Sequence, residues 1–203
     1  MRMLLAACGI AMALAGCGGG ERVVADRSTP RKAVLSLILS FDERDPERMI
    51  SGEELKKYFA SSSDPACLAA MIQIHEASAR LRRAAIERYG RDSAGQLDGL
   101  GPLKEDRAAY EAAQETIAGD RAQLVVAGQS VELVRESGEW RLQLAAGQDA
   151  QAAARVLDAY AQALRQVADD IPTGKLDESD RDKTIRRIRA ILAAQRDAAL
   201  ASR

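Results

Sequence analysis

The chain has 203 residues, enough for one domain with a sizeable core and appendages, and its 29 Lys and Arg against 30 Asp and Glu leave a formal net charge of −1. That balance sets up no strong field for nucleic acid or for an anionic surface, so functions that depend on a basic chain are excluded. With 47% hydrophobic but only 3% aromatic residues, the core has to be built from Leu, Ile, Val and Ala, a composition that leans towards helix.

Met1-Arg2 supplies one positive charge, and Met3 to Leu14 is an apolar stretch softened by Gly9, the pattern of a minimal secretory signal. It is too short to span a bilayer, which needs about 20 apolar residues. Leu14-Ala15-Gly16-Cys17 follows, with Gly18-Gly19-Gly20 behind it. This run resembles the bacterial lipoprotein signal at every position. The resemblance implies that residues 1–16 are a signal peptide, that the Cys17 thiol receives a diacylglyceryl group, and that the chain is cut before Cys17 and its freed amine acylated. It further implies a protein anchored by lipid in the bacterial envelope and facing the periplasm. Gly18 stands where an aspartate would signal inner-membrane retention, which points to the outer membrane. An ordinary secretory signal with an incidental cysteine is the competing reading. Cys8 leaves with the signal and Cys17 is taken up by lipid, so Cys67 has no partner in its own chain and no intramolecular disulfide is expected.

Residues 17–28 read as a flexible tether. Three helix starts then share one device, an N-cap side-chain oxygen followed by proline at the first helical position: Thr29-Pro30, Asp45-Pro46 and Asp64-Pro65. The first helix presents Val34, Leu37, Ile38 and Phe41 as a core-facing stripe and ends at Asp42 to Asp45. A short helix is expected from Asp45 to Ile50, and a second from the capping-box signature Ser51-Gly52-Glu53-Glu54 through Phe59. After Ser61-Ser62-Ser63 the longest helix runs from Asp64 to Tyr89 and stops at Gly90. Cys67, Met71, Ile74, Leu81 and Ala85 lie on its apolar side, while Arg80, Arg82, Arg83 and Arg88 make its later turns basic. Arg91 to Leu103 reads as a loop, and Lys104 to Ala113 as helical with Tyr110 turned inward.

Between Glu115 and Ala145 the period becomes two. Ala122, Leu124 and Val126 share a face, as do Val131 and Leu133, and Trp140, Leu142 and Leu144. Turn signals at Gly119-Asp120, Ala127-Gly128-Gln129 and Ser137-Gly138 separate them, which predicts a meander of three or four antiparallel strands. From Asp149 the helical period returns, with Val156, Tyr160, Ala163 and Val167 in one stripe, joined by Leu157 and Leu164. Beyond Ile171-Pro172-Thr173-Gly174, Asp177 and Asp180 open a last helix carrying Ile185, Ile188 and Leu192, so residues 146–203 are expected to form a helical hairpin. Its stripe can bury on its own sheet or on a partner. The fold class is therefore α+β, with N-terminal helices packed on a curved antiparallel meander.

Helices first, then Ile117-Ala118-Gly119-Asp120-Arg121-Ala122, then the run from Val131 to Leu142 with Val131, Leu133, Val134, Gly138, Trp140 and Leu142 at its key positions: this order resembles the nuclear-transport-factor-2-like cone fold, and most of all its small envelope lipoproteins of unknown function. The resemblance covers Pro30 to Ala145 and implies a cone-like domain over residues 29–145, in which the helix at 64–90 is a long insertion and the C-terminal hairpin lies outside the cone. Enzymes of that superfamily use an aspartate base or an Asp–His arrangement inside the cone. No such motif is matched here, so no catalytic residue carries over.

The chemical candidates are few. His75, the single histidine, lacks the companion ligands a metal site needs, and a core role is the plainer reading. Cys67, four residues before Met71, suits a buried small hydrophobe. The arginines of the long helix, and Arg181, Lys183, Arg186, Arg187 and Arg189, read first as solvated faces and second as a site for a headgroup or partner. Phe41, Tyr110 and Trp140 are the candidates to line a cavity in the cone, or else plain core. With no glycine-rich phosphate loop, nucleophile elbow or metal-spaced cysteine pair, no cofactor and no metal are expected. The reading is a non-catalytic binding or assembly module, joined to a membrane through Cys17 and meeting an envelope protein partner; the alternative is an envelope enzyme or binder of an unidentified small molecule.

Overall fold

The computed structural model describes residues 25–97, 107–144 and 148–201. The expected signal peptide, Cys17, Gly18 and the expected tether up to residue 24 lie outside the described residues, as does 98–106 in the expected loop and helix start. The elements are α1 (Pro30–Phe41), α2 (Gly52–Lys56), α3 (Pro65–Tyr89), α4 (Asp92–Gly95), α5 (Arg107–Glu111), β1 (Gln114–Ala118), β2 (Arg121–Val126), β3 (Gln129–Glu136), β4 (Glu139–Leu142), α6 (Gln148–Asp170) and α7 (Arg181–Ala201). The fold is α+β, with a four-stranded antiparallel sheet among the described residues.

The caps explain most helix starts. Thr29 accepts the Lys32 N–H at 3.3 Å, and the Asp64 carboxylate accepts those of Ala66 and Cys67 at 2.9 and 3.0 Å, each satisfying donors that a first turn leaves over. At Asp45-Pro46 the same device gives one turn instead of the expected helix. Asp45 takes the Glu47 N–H on its side chain and the Arg48 N–H on its carbonyl, and the ladder ends there. The Ser51–Glu54 capping box forms in both directions. α2 nevertheless stops at Lys56, short of Phe59, because Phe59 turns away to bridge Leu142 on β4.

At the end of α3, Gly90 adopts φ 90° and ψ 164°, a conformation open to glycine alone. α7 starts at Arg181, not Asp177: Asp180 accepts the Lys183 N–H at 2.8 Å, and Asp177 is committed to Arg88 and Tyr89 of α3.

The strands run in the order β1-β2-β3-β4, each antiparallel to the next, with Leu124 opposite Val131 and Leu133 opposite both Ala122 and Leu142. Ala122, Leu124, Val126, Leu133, Trp140 and Leu142 form the buried face, and Arg121 and Gln123, in the opposite phase of β2, are exposed. Both central residues of two hairpin turns have positive φ, Ala127 with Gly128 and Ser137 with Gly138, as primed turns require.

The helices beyond the sheet share its core. Val34, Leu37 and Phe41 of α1, Met71, Ile74 and Leu81 of α3, the sheet face, Tyr160, Leu164 and Val167 of α6, and Ile185, Ile188 and Leu192 of α7 belong to one buried cluster. The stripe of the two tail helices is thus covered by this chain. α3 and α6 lie side by side and parallel: contacts pair Cys67 with Ala150, Gln73 with Arg165 and Arg80 with Asp169, advancing together along both helices. Both begin beside β4, where the Ser63 hydroxyl donates to Leu142 O at 3.4 Å and accepts the Leu144 N–H at 3.1 Å.

Candidate functional site

Asp26 to Ser28, at the end of the expected tether, are fastened to the domain. The Arg27 carbonyl accepts the Trp140 N–H at 2.9 Å, so this segment lies on the outer edge of β4. The Arg27 guanidinium pairs with Glu139 at 2.7 Å, donates to the Lys57 carbonyl at 3.3 Å and sits 5.5 Å over the Tyr58 ring. Its side chain is 12% exposed, and the charge it brings holds the Glu139 carboxyl below the usual carboxylate range. Asp26 is held from three directions: its N–H donates to the Ser36 hydroxyl at 3.0 Å, its carbonyl accepts from the same hydroxyl at 3.1 Å, and its carboxylate pairs with Lys32 at 2.8 Å. Lys32, and then Ser28, hold that carboxyl well below its ordinary value.

The same edge of β4 takes a second strip of chain. Leu142 donates its N–H to Tyr58 O and accepts the Ala60 N–H, both at 2.8 Å. Ser61 donates its N–H and its hydroxyl to the Glu136 carboxylate at 2.9 and 2.8 Å. An edge that would otherwise offer unpaired backbone groups is therefore closed by residues 27 and 58–60. Ser61 to Ser63 carry the signature of a loop and residue 27 that of a tether; no local pattern marks pairing across such separations.

The cavity candidates fall elsewhere. Phe41, Tyr110 and Trp140 are 2%, 4% and 4% exposed and lie in the buried cluster described above, on α1, α5 and β4 respectively. Phe41 meets the His75 ring edge-on, with centroids 5.1 Å apart.

A set of polar side chains that the sequence reading did not assemble sits beside Phe41. His75, Ser78 and Arg82 follow one another at three- and four-residue spacing on α3 and are each 2% exposed or less. The Arg82 guanidinium donates to the Phe41 carbonyl at 3.0 Å, one of the carbonyls that the end of α1 leaves without a helical partner. Arg82 was expected on a solvated face; it is fully buried because positions 71, 74, 75, 78, 81, 82 and 85 make one continuous inward stripe. Burial, and then the Arg82 charge, hold His75 below its ordinary value, against a bond with the Ser40 backbone that pulls the other way. His75 Nε2 and the Ser78 hydroxyl have no hydrogen-bond partner among the described residues.

At the far end of α3 and α6 a groove of about 320 Å³ is lined by Arg80, Arg83, Glu87, Asp169 and Pro172. Its charges are paired rather than convergent: Arg80 with Asp169, and Arg83 with Glu47 at 3.6 Å. Cys67 is buried, donates to the Ala150 carbonyl at 3.2 Å, and is pushed up by burial and by Asp64, which makes it a poor nucleophile. Among the described residues no group of three or more His, Cys, Asp or Glu could hold a metal ion, and no helix is long and apolar enough to cross a membrane. Comparison of the chain with protein families, curated proteins and solved structures finds no match.

Proposed function

We propose that this chain is a lipoprotein of the bacterial envelope, anchored by acyl chains on Cys17 and serving there as a binding or assembly module. The observation that carries the reading is Leu14-Ala15-Gly16-Cys17 placed directly after a charged start and a short apolar run. Two or more acyl chains make such an anchor stable, since each buried methylene contributes about 0.8 kcal/mol. The domain faces the periplasm, and Gly18 favours the outer membrane. Within this reading the sheet and the helices before it form a cone-like domain similar to the nuclear-transport-factor-2-like proteins, with α6 and α7 as a helical hairpin outside the cone. The inward face of Leu124, Leu133, Trp140 and Leu142 supports that geometry.

Growth with a clickable fatty acid tests the anchor. The wild-type chain is expected to take up label and float with membranes, and Cys17→Ala to do neither. Undiminished label on Cys17→Ala would sink the proposal.

A further inference from the structure

The chain treats the two edges of its sheet differently. Along β4 the outward backbone groups belong to Trp140 and Leu142, and residues 27 and 58–60 take them up. The same alternation decides which groups of β1 point outward. The Asp120 carbonyl accepts the Arg135 N–H at 2.8 Å, so Asp120, Ala122 and Leu124 bond towards β3, and Arg121, Gln123 and Val125 bond towards β1. Their partners Ala118, Thr116 and Gln114 are thereby used, which turns the N–H and C=O of Glu115 and Ile117 away from the sheet. Ala113, in the same phase, is already satisfied: its N–H donates to Tyr110 O at 3.3 Å and its carbonyl accepts from Arg31 at 2.9 Å. Among the described residues no backbone group pairs with Glu115 or Ile117 on that side.

β1 also lacks the devices that keep a bare edge from pairing. Its residues Gln114-Glu115-Thr116-Ile117-Ala118 include no proline and no lysine, and its register against β2 runs without a bulge. Ile117 shares the face of Ala122 yet is 52% exposed, and Val125, opposite Gln114, is 37% exposed; these are the exposed large apolar side chains among the described residues. We infer that the outer edge of β1 is a docking surface for a second copy of this chain, joined β1 to β1 antiparallel about a twofold axis at Thr116. Side chains as well as backbone select that occupant. Centring on Thr116 sets Glu115 opposite Ile117 of the second copy on both sides of the axis, so each outward N–H meets an outward C=O and none is left over. The two Ile117 side chains then become diagonal neighbours about 7–8 Å apart on one face, where they cover each other. Thr116 meets Thr116, a favourable cross-strand pair, and each Glu115 keeps Arg31 of its own chain at 3.9 Å to offset the like charge across the axis. A formal net charge of −1 adds little repulsion between copies. The joint is short, so the dimer is concentration-dependent rather than permanent. It does not depend on the anchor at Cys17.

The test uses the full chain in detergent with Thr116→Cys. On the axis Thr116 takes a non-hydrogen-bonded position, where Cα atoms stand about 4.5 Å apart, inside the range a disulfide bridges. Mild oxidation is expected to trap most of Thr116→Cys as a disulfide-linked dimer and to leave Gln123→Cys, exposed on the same face one strand in, at the level of the wild type. Cys17 and the buried Cys67 are present in all three proteins, so bridging through them is counted in the controls. Ile117→Lys is expected to halve the mass seen by light scattering at a concentration where the wild type is dimeric, while its circular dichroism stays that of the wild type. Thr116→Cys that links no more than Gln123→Cys overturns the pairing. A wild-type chain of single mass at every concentration also overturns it, and leaves the β1 edge to an extended segment of another protein. A dimer that survives Ile117→Lys puts the joint on a different surface and overturns it equally.

Discussion

Protonating His75 would place a second cation in the pocket of α3 where Arg82 already lies fully buried beneath the Phe41 carbonyl. Burial and that neighbouring charge depress the folded-state value below the ordinary 6.5, so the unfolded chain binds the proton first as the pH falls. The sign follows directly: the stability linked to His75 is complete above pH 6.5 and is lost as the pH drops below it, by at most about 1.4 kcal/mol per pH unit, until the folded state also protonates. Urea midpoints between pH 7.5 and 5.5 are expected to fall for the wild type and to stay nearly level for His75→Phe, whose ring can keep the edge-on contact with Phe41. A parallel fall in both proteins would show that His75 does not titrate differently on folding. Arg82 illustrates why the buried set escaped the sequence reading. Arginine is almost never fully buried unless paired, so residue type argued for solvent, whereas its helical position beside Leu81 and Ala85 argued for the core. Position prevailed, because the open carbonyls ending α1 supply the partner that a buried guanidinium needs.

The hairpin turns of the sheet separate two ways of meeting one backbone requirement. Gly128 and Gly138 take positive φ without penalty, but Ala127 at 47° and Ser137 at 52° do so against their own Cβ. Asparagine tolerates that region and, before glycine, is a preferred first residue of such a turn. Ala127→Asn is expected to stabilise the chain by about 1 kcal/mol, raising Tm by about 2–4 °C for a domain of this size. A lowered Tm would mean the strain is already relieved elsewhere. These turns, like the caps at Thr29, Ser51 and Asp64, were legible in the sequence because each is decided by three or four neighbouring residues. Where an element's fate depends on distant chain, the sequence is silent. Phe59 belongs by local pattern to α2, yet it bridges Leu142, and Arg27 reads as tether, yet its carbonyl extends the β4 ladder. At Asp45-Pro46 the cap bond forms as the local signal predicts, yet a single turn follows it. The candidate site was legible in the same uneven way. Trp140, Phe41 and Tyr110 were readable as inward-facing, but nothing local shows that they share their cluster with α6 and α7.

The two tail helices decide whether the chain folds as one unit or as a domain with a detachable arm. α6 lies along α3 from Cys67 and Ala150 to Arg80 and Asp169, and the loop after it is held to the end of α3 through Asp177 and Tyr89, whose hydroxyl is pushed up to about 12 by burial and by that bond. Tyr160, Leu164, Val167, Ile171, Ile185, Ile188 and Leu192 all sit in the cluster that also buries the sheet. Removing one such side chain to Ala costs about 2–5 kcal/mol, and a whole domain has only about 5–15 kcal/mol to lose. Cutting the chain before Asp149 deletes all seven and uncovers Met71, Ile74 and Leu81 on α3, so the shortened protein is expected to lose its cooperative thermal transition and to bind a hydrophobic dye. Ile188→Ala tests the same point within the intact chain, with an expected loss of about 2–5 kcal/mol in urea unfolding despite its place on the last helix. If the truncated chain instead melts as sharply as the full one, α1, α3 and the sheet suffice for the fold. The apolar stripe of α6 and α7 would then be free to leave its own core for a partner, which would turn an internal buttress into a binding element.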